Sequence, residues 1–247
     1  MIQRSLKNNL DHWYRVINTE AFIPNDPVQF PHRYRNRKDI EIAAFLAATI
    51  AWGKRTMILN SCEKMFALMG SHPYDYVMQN FPSTYSPPRA CIHRTFFIDD
   101  FTYYCNGLNA IYQKNNSLEK IFAKQNTVWE GISAFRNEMI AANGGIVSKH
   151  VANPAANSAC KRMHLALRWL VRREGPVDLG LWKNIDPAGL YIPLDVHVGR
   201  TARQLGLINA KRQANDRKTV EELTGKLREF CPEDPIRYDF ALFGIDV

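Results

Sequence analysis

Lys161-Arg162-Met163-His164-Leu165-Ala166-Leu167-Arg168-Trp169-Leu170-Val171-Arg172-Arg173 is the stretch on which the reading of this chain turns. Met163, Ala166, Leu167, Leu170 and Val171 recur at the spacing of one helix face, while Arg168, Arg172 and Arg173 fall elsewhere. The small-residue loop Asn153 to Ala159 leads into this helix, and Lys161 stands in its first turn. A cation there meets the partial positive charge of the helix start and has Arg162 beside it. Both effects disfavour the charged amine, and a neutral amine is what covalent catalysis through a Schiff base requires. The plainer alternative is a solvated surface lysine.

A second stretch follows after a loop: Ile192-Pro193-Leu194-Asp195-Val196-His197-Val198-Gly199-Arg200. Pro193 stiffens the approach, and Val198, Ala202 and Leu205 give the next helix an apolar face, so Asp195 is placed as its N-cap. Capping alone explains an aspartate there. A carboxylate fixed at a helix start is also suited to stabilise positive charge developing on a sugar ring.

Outward from this pair the periodicity is helical almost throughout. Leu6, Leu10, Trp13, Tyr14 and Ile17 predict an N-terminal helix, and Pro24, Pro27 and Pro31 predict an extended segment after it. Helices are expected from Asp39 to about Trp52, interrupted by Gly53, and from about Thr56 to Met69, closed by Gly70. The Pro- and Tyr-rich connection Ser71 to Pro88 reads as partly helical, with a turn at Pro87-Pro88. Thr95 to Tyr104 favours a strand by propensity, but Asp99-Asp100 before Phe101, Tyr104, Leu108, Ile111 and Tyr112 reads better as a capped helix after a loop. Further helices run from Leu118 to Phe122 and from Val128 to Ala141, and Asp234-Pro235 suits the start of a last one as N-cap and first residue, carrying Asp239 either as a contact across to the Asp195 helix or for solubility alone. No repeat or sustained alternation breaks the pattern, so the expected class is all-α.

With 247 residues, 46% of them hydrophobic, the chain can bury one large core or two lobes flanking a cleft. The formal charge of +8 favours a polyanionic partner, most often nucleic acid. Its distribution is uneven: residues 161–218 hold twelve cations against five anions, while the segment from Thr219 onward holds three against seven. The basic footprint therefore overlaps the candidate pair. Five scattered cysteines without a CxxC pair fit a reducing cytosol and argue against zinc or iron–sulfur sites. His164 and His197 lack a third ligand at suitable spacing, so neither a metal nor a cofactor is expected. Met1 to Glu20 has no signal-peptide core, and the longest apolar run, Ile42 to Trp52, is too short to span a bilayer; a cytoplasmic monomer with no membrane contact is expected.

Lys161 with its amphipathic helix, Pro193-Leu194-Asp195-Val196-His197-Val198-Gly199-Arg200 and Asp239-Phe240-Ala241-Leu242-Phe243-Gly244 together resemble the catalytic half of the helix-hairpin-helix base-excision DNA glycosylases. The interval from Lys161 to Asp195 is similar to that of the archaeal 8-oxoguanine DNA glycosylases. Over nearly its whole length the chain also resembles a bacterial family of unknown function. It departs from the glycosylase pattern in lacking the Gly-rich hairpin between the two residues, so another loop would have to grip the DNA backbone.

The resemblance implies a two-lobed helical glycosylase-like fold with a central cleft, residues 39–173 forming a central lobe and residues 1–38 with 174–247 a second. It implies a DNA glycosylase with abasic-site lyase activity on a damaged base, an oxidised purine among the candidates. Lys161 would be the nucleophile and Asp195 the stabilising carboxylate. Arg200, Arg203 and Lys211 are the candidate phosphate contacts, and Trp52 and Trp169 the candidate base-pocket residues, each with a core or solvated alternative. The partner would be lesion-bearing duplex DNA, with RNA left open. Two alternatives stand beside this: a non-catalytic nucleic-acid-binding protein on the same scaffold, and an enzyme acting on a small ribosyl substrate.

Overall fold

A computed structural model describes residues 2–80 and 90–245, so the turn expected at Pro87-Pro88 lies outside the described residues. The protein is all-α: among the described residues, the strands are confined to one two-stranded hairpin. The chain forms two compact units, residues 1–23 with 153–247 and residues 24–152. These boundaries differ from the 39–173 and 1–38 with 174–247 expected from sequence. The physical reason lies in the Lys161–Val171 helix, whose Arg168 and whose following residue Arg172 are held by Asp178, Asp234 and Asp239. Those partners lie up to 71 residues away, and helical periodicity carries no trace of them.

In the unit of residues 24–152, the expected extended segment is instead turned. A 3-10 helix Glu20–Asn25 leads to a one-turn helix Gln29–His32. So short a helix has no interior N–H for a proline to remove, and the Asp26 side chain accepts the Val28 N–H at 3.0 Å. The Arg37–Thr49 helix is capped by Asn36 and buried from Ile42 through Thr49. It carries two buried carboxylates: Asp39, which accepts the Tyr74 N–H at 2.7 Å, and Glu41, satisfied by Ser117 Oγ, the Leu118 N–H and the Tyr112 hydroxyl at 2.5, 2.9 and 2.8 Å. The bonds to Glu41 fix the turn into the Glu119–Ala123 helix.

The Arg55–Met69 helix ends at Gly70, whose φ of +67° only glycine adopts readily. The Phe96-Phe97 pair follows its strand propensity rather than the expected loop: Cys91–His93 and Phe96–Phe97 form the hairpin, turned at Arg94. The Ile98–Lys114 helix begins at once, with Asp100 accepting the Phe97 N–H from inside the first turn. The Val128–Ala142 helix is capped by Thr127.

The other unit is built from helices Ile2–Ile17, Lys161–Val171, Val196–Gln204, Arg217–Phe230 and Asp239–Gly244. Its core includes Leu10, Trp169, Trp182, Leu223, Leu227 and Phe240, all essentially without solvent contact. The N-terminal and C-terminal helices lie against each other so closely that a side chain at Gly244 would meet Ile17. No helix among the described residues is long and apolar enough to cross a membrane.

Candidate active site

The chain enters the Lys161 helix through two non-glycine residues in left-handed conformation, Asn157 at φ 56° and Cys160 at φ 47°. Such residues cost of order 1–3 kcal/mol each and persist only where the surroundings hold them. Here the clamp is Asp216. Its carboxylate accepts from Asn157 Nδ2 at 2.9 Å, and the Arg217 N–H donates to the Asn157 carbonyl at 3.1 Å. Arg212 grips the same carboxylate with bonds of 2.6 and 2.7 Å, and this guanidinium contact holds the Asp216 carboxyl well below the usual range.

Asp195 is the N-cap of the Val196–Gln204 helix. Its Oδ1 accepts the N–H groups of His197 and Val198 at 2.9 and 3.0 Å. This leaves Oδ2 facing Lys161 Nζ at 3.5 Å. The two side chains are 29% and 28% exposed, open to a reactant yet shielded enough for their charges to act on each other. The structure thus brings together, inside one compact unit, the two groups singled out from sequence.

Behind the pair runs a buried chain of alternating charge. Arg168, two turns along from Lys161, donates to Asp239 and, at 3.2 Å, to Asp178, with its guanidinium 4.3 Å over the Phe240 ring. Arg172 donates to Asp178 and, at 2.8 Å, to Asp234. The expected N-cap role of Asp234 gives way to this contact, since its side chain makes no cap bond. Asp239, 5% exposed, is the member nearest the pair in effect. Burial raises its carboxyl to about 6; Arg168 opposes the rise, Asp195 adds to it and Lys161 lowers it. From sequence, Asp239 reads either as a contact across to the Asp195 helix or as a solubilising residue, and nothing local marks its burial.

His164 is 1% exposed, and burial lowers its imidazole to about 3, with the Arg217 charge a smaller cause. It is a neutral core residue beside Tyr191, with ring centroids 5.8 Å apart. His197 is exposed and lies 3.5 Å from Arg200. Among the described residues, no group of three or more His, Cys, Asp and Glu could hold a metal ion.

A family model described as Protein of unknown function (DUF2400) matches residues 26–247. The chain belongs to this family. The match spans Lys161, Asp195, Asp239 and the buried arginines, and leaves only the N-terminal helix and the turn after it outside. No curated protein and no solved structure matches the chain.

The remaining candidates of this DUF2400 chain divide. Arg200 and Lys211 are exposed on the unit that carries the pair. Arg203, expected to contact phosphate, is spent on its own fold: it donates to the carbonyls of Arg212 and Ala214 at 2.7 and 3.1 Å and to Asn215 at 2.9 Å. It shapes the 209–215 loop, and Asn215 in turn donates to the Asp195 carbonyl at 3.3 Å. Trp169, expected as a pocket residue, is fully buried core. Trp52 belongs to the unit of residues 24–152, half-buried between His93 and His150 with ring centroids 4.7 and 5.6 Å away.

Proposed function

We propose that this protein is a DNA glycosylase with associated abasic-site lyase activity, acting on a damaged base through Lys161 and Asp195. The observation that carries the reading is the 3.5 Å approach of Lys161 Nζ to Asp195 Oδ2, each anchored at a helix start. A left-handed, non-glycine residue immediately before Lys161 supports it, since backbone strain of this kind collects at working sites. The surplus of cations over residues 161–218 suits a phosphate backbone, as does the resemblance to base-excision glycosylases.

The chemistry follows from the two groups. As the bond between the sugar C1′ and the base breaks, its electron pair leaves with the base, and the Asp195 carboxylate stabilises the positive charge that develops on the sugar. The Lys161 lone pair then forms the N–C1′ bond. The C1′–O4′ bond then breaks with its electron pair going to O4′, which takes up the proton the amine releases, and the nitrogen and C1′ become an imine. Loss of a C2′ proton to water forms a C2′–C3′ double bond as the C3′–O bond breaks and the 3′ phosphate leaves, so the strand is cut. The target base must leave the helical stack for its C1′ to be reached.

The test is borohydride trapping on duplexes carrying 8-oxoguanine or an abasic site. A covalent adduct in the native protein that Lys161→Gln abolishes is the expected result. Salt-sensitive binding without an adduct on any lesion would instead make this a nucleic-acid-binding protein, and neither adduct nor binding would point to a small ribosyl substrate.

A further inference from the structure

We propose that Asn215 and Asp216 are positioning residues: with the Arg217 N–H they brace the loop that delivers Lys161 against the helix start that carries Asp195, and so set the spacing of the two side chains. The inference rests on the reading of that pair as the reactive groups, and it gives a task to a segment outside the pair.

The pair does not hold itself together. An ion contact between two half-exposed side chains stabilises little and leaves each of them free to turn away. Their spacing is therefore set through the backbone, and one short segment bonds to both sides.

Asn215 holds the Asp195 side. Its Nδ2 donates to the Asp195 carbonyl at 3.3 Å while its Oδ1 accepts from Arg203 Nη2 at 2.9 Å, so the amide is fixed at both ends. Asp216 holds the Lys161 side. Its Oδ2 accepts from Asn157 Nδ2 at 2.9 Å, the Arg217 N–H donates to the Asn157 carbonyl at 3.1 Å, and Ser158 pairs with Asp216 as an isolated antiparallel bridge. From Ser158 the path to Lys161 is short: the Ser158 hydroxyl accepts the Cys160 N–H at 3.2 Å, and Cys160 is the N-cap of the Lys161–Val171 helix.

Asn215 and Asp216 are consecutive, so their Cα atoms stay about 3.8 Å apart whatever else moves. The two anchors cannot drift independently. The brace is itself held, because Asp216 caps the Arg217–Phe230 helix through the Thr219 N–H at 3.0 Å and is gripped by Arg212. The left-handed backbone at Asn157 and Cys160 persists only under constraint of this kind. A misplacement of about 1 Å between reacting groups costs on the order of a hundredfold in rate, so a fixed spacing matters more here than the strength of the ion pair.

Each side can be released without touching Lys161 or the Asp195 side chain. Arg217→Pro deletes the N–H that holds the Asn157 carbonyl; proline suits the first position of a helix, and Asp216 before it is already extended, as a residue preceding proline must be. Asn157→Gly deletes the side-chain donor and keeps a residue that adopts the left-handed turn readily. Asn215→Ala deletes the bond to the Asp195 carbonyl.

The spacing is read without DNA by carbodiimide coupling, which joins Lys161 Nζ to the Asp195 carboxyl as an amide, with loss of water, where the two are in contact. Peptide mass spectrometry quantifies the product. The native protein is expected to couple, and the double variant Asn157→Gly with Arg217→Pro to couple several-fold more slowly while keeping the native melting temperature. Asn215→Ala should slow coupling likewise. Native-rate coupling in the folded double variant, or in Asn215→Ala should that double variant not fold, would overturn the proposal, as would a native protein that does not couple at all. On an abasic duplex at saturating concentration, the borohydride adduct should form about tenfold more slowly in the double variant with the duplex Kd unchanged, whereas a merely looser fold would move both. Slowed coupling with no adduct on any DNA would keep the brace and discard the glycosylase reading. An adduct formed at the native rate in a variant whose coupling is slowed would keep the glycosylase and overturn the brace.

Discussion

At Asp195 the two carboxylate oxygens are divided between tasks, Oδ1 closing the helix start and Oδ2 facing Lys161. The tasks can be separated by substitution. Asparagine keeps a capping oxygen, so Asp195→Asn should unfold in urea within about 0.5 kcal/mol of the native protein, whereas Asp195→Ala should lose about 1 kcal/mol. Both should lose at least tenfold in the rate of adduct formation, because both remove the negative charge. Equal adduct rates in the native protein and Asp195→Asn would show that the carboxylate serves only as a cap. Lys161 and Asp195 were legible in the sequence because a cap and a first-turn lysine are local patterns, set by residues within a turn of each other. For Asp239 the sequence left open a contact across to the Asp195 helix or mere solubility; its burial and its Arg168 partner arise from contacts that span 71 residues and leave no local mark.

For the helices, legibility followed the strength of the local signal. The Val128–Ala142 helix, with Thr127 before it and Asn143-Gly144 after it, was readable nearly to its ends. The proline segment and the Phe96–Phe97 hairpin were not, because one-turn helices and two-residue strands are decided by packing rather than by period. Two buried groups at the Lys161–Val171 helix, His164 within it and Asp239 against its Arg168, link stability to pH in opposed ways. His164 titrates near 3 when folded against 6.5 when unfolded, so the stability it contributes is present above 6.5 and is lost as pH falls toward 3. Asp239 titrates near 6 when folded against 3.8 when unfolded, so the folded state binds the extra proton between these values and stability falls as pH rises through that window. Between roughly pH 4 and 6 the two slopes oppose each other. Urea titrations at pH 7, 5.5 and 4 should therefore show a steeper loss on acidification in Asp239→Asn than in the native protein, by an amount of order 1–3 kcal/mol. Parallel curves for the two proteins would mean that the Asp239 carboxyl titrates alike in both states.

Across the whole molecule, the +8 charge predicts salt-dependent binding to nucleic acid, and the exposed Arg200 and Lys211 are the candidates to test for it. Arg200→Ala and Lys211→Ala should each lower the slope of log affinity against log salt by about one, measured on a short duplex. Arg203→Ala should instead destabilise the fold, because its guanidinium holds the carbonyls of the 209–215 loop. An unchanged melting temperature in Arg203→Ala, with a reduced salt slope, would return that residue to the binding face. The tightness of this corner has one more effect. Gly199 sits where a Cβ would come within 2.5 Å of Asn215 Oδ1 and 2.8 Å of Arg203 Nη1, the two groups that tether the loop to the aspartate's backbone. A single added methyl would push both side chains off their present bonds, so Gly199→Ala should free the loop from the Asp195 backbone while the Lys161 and Asp195 side chains keep their own chemical groups.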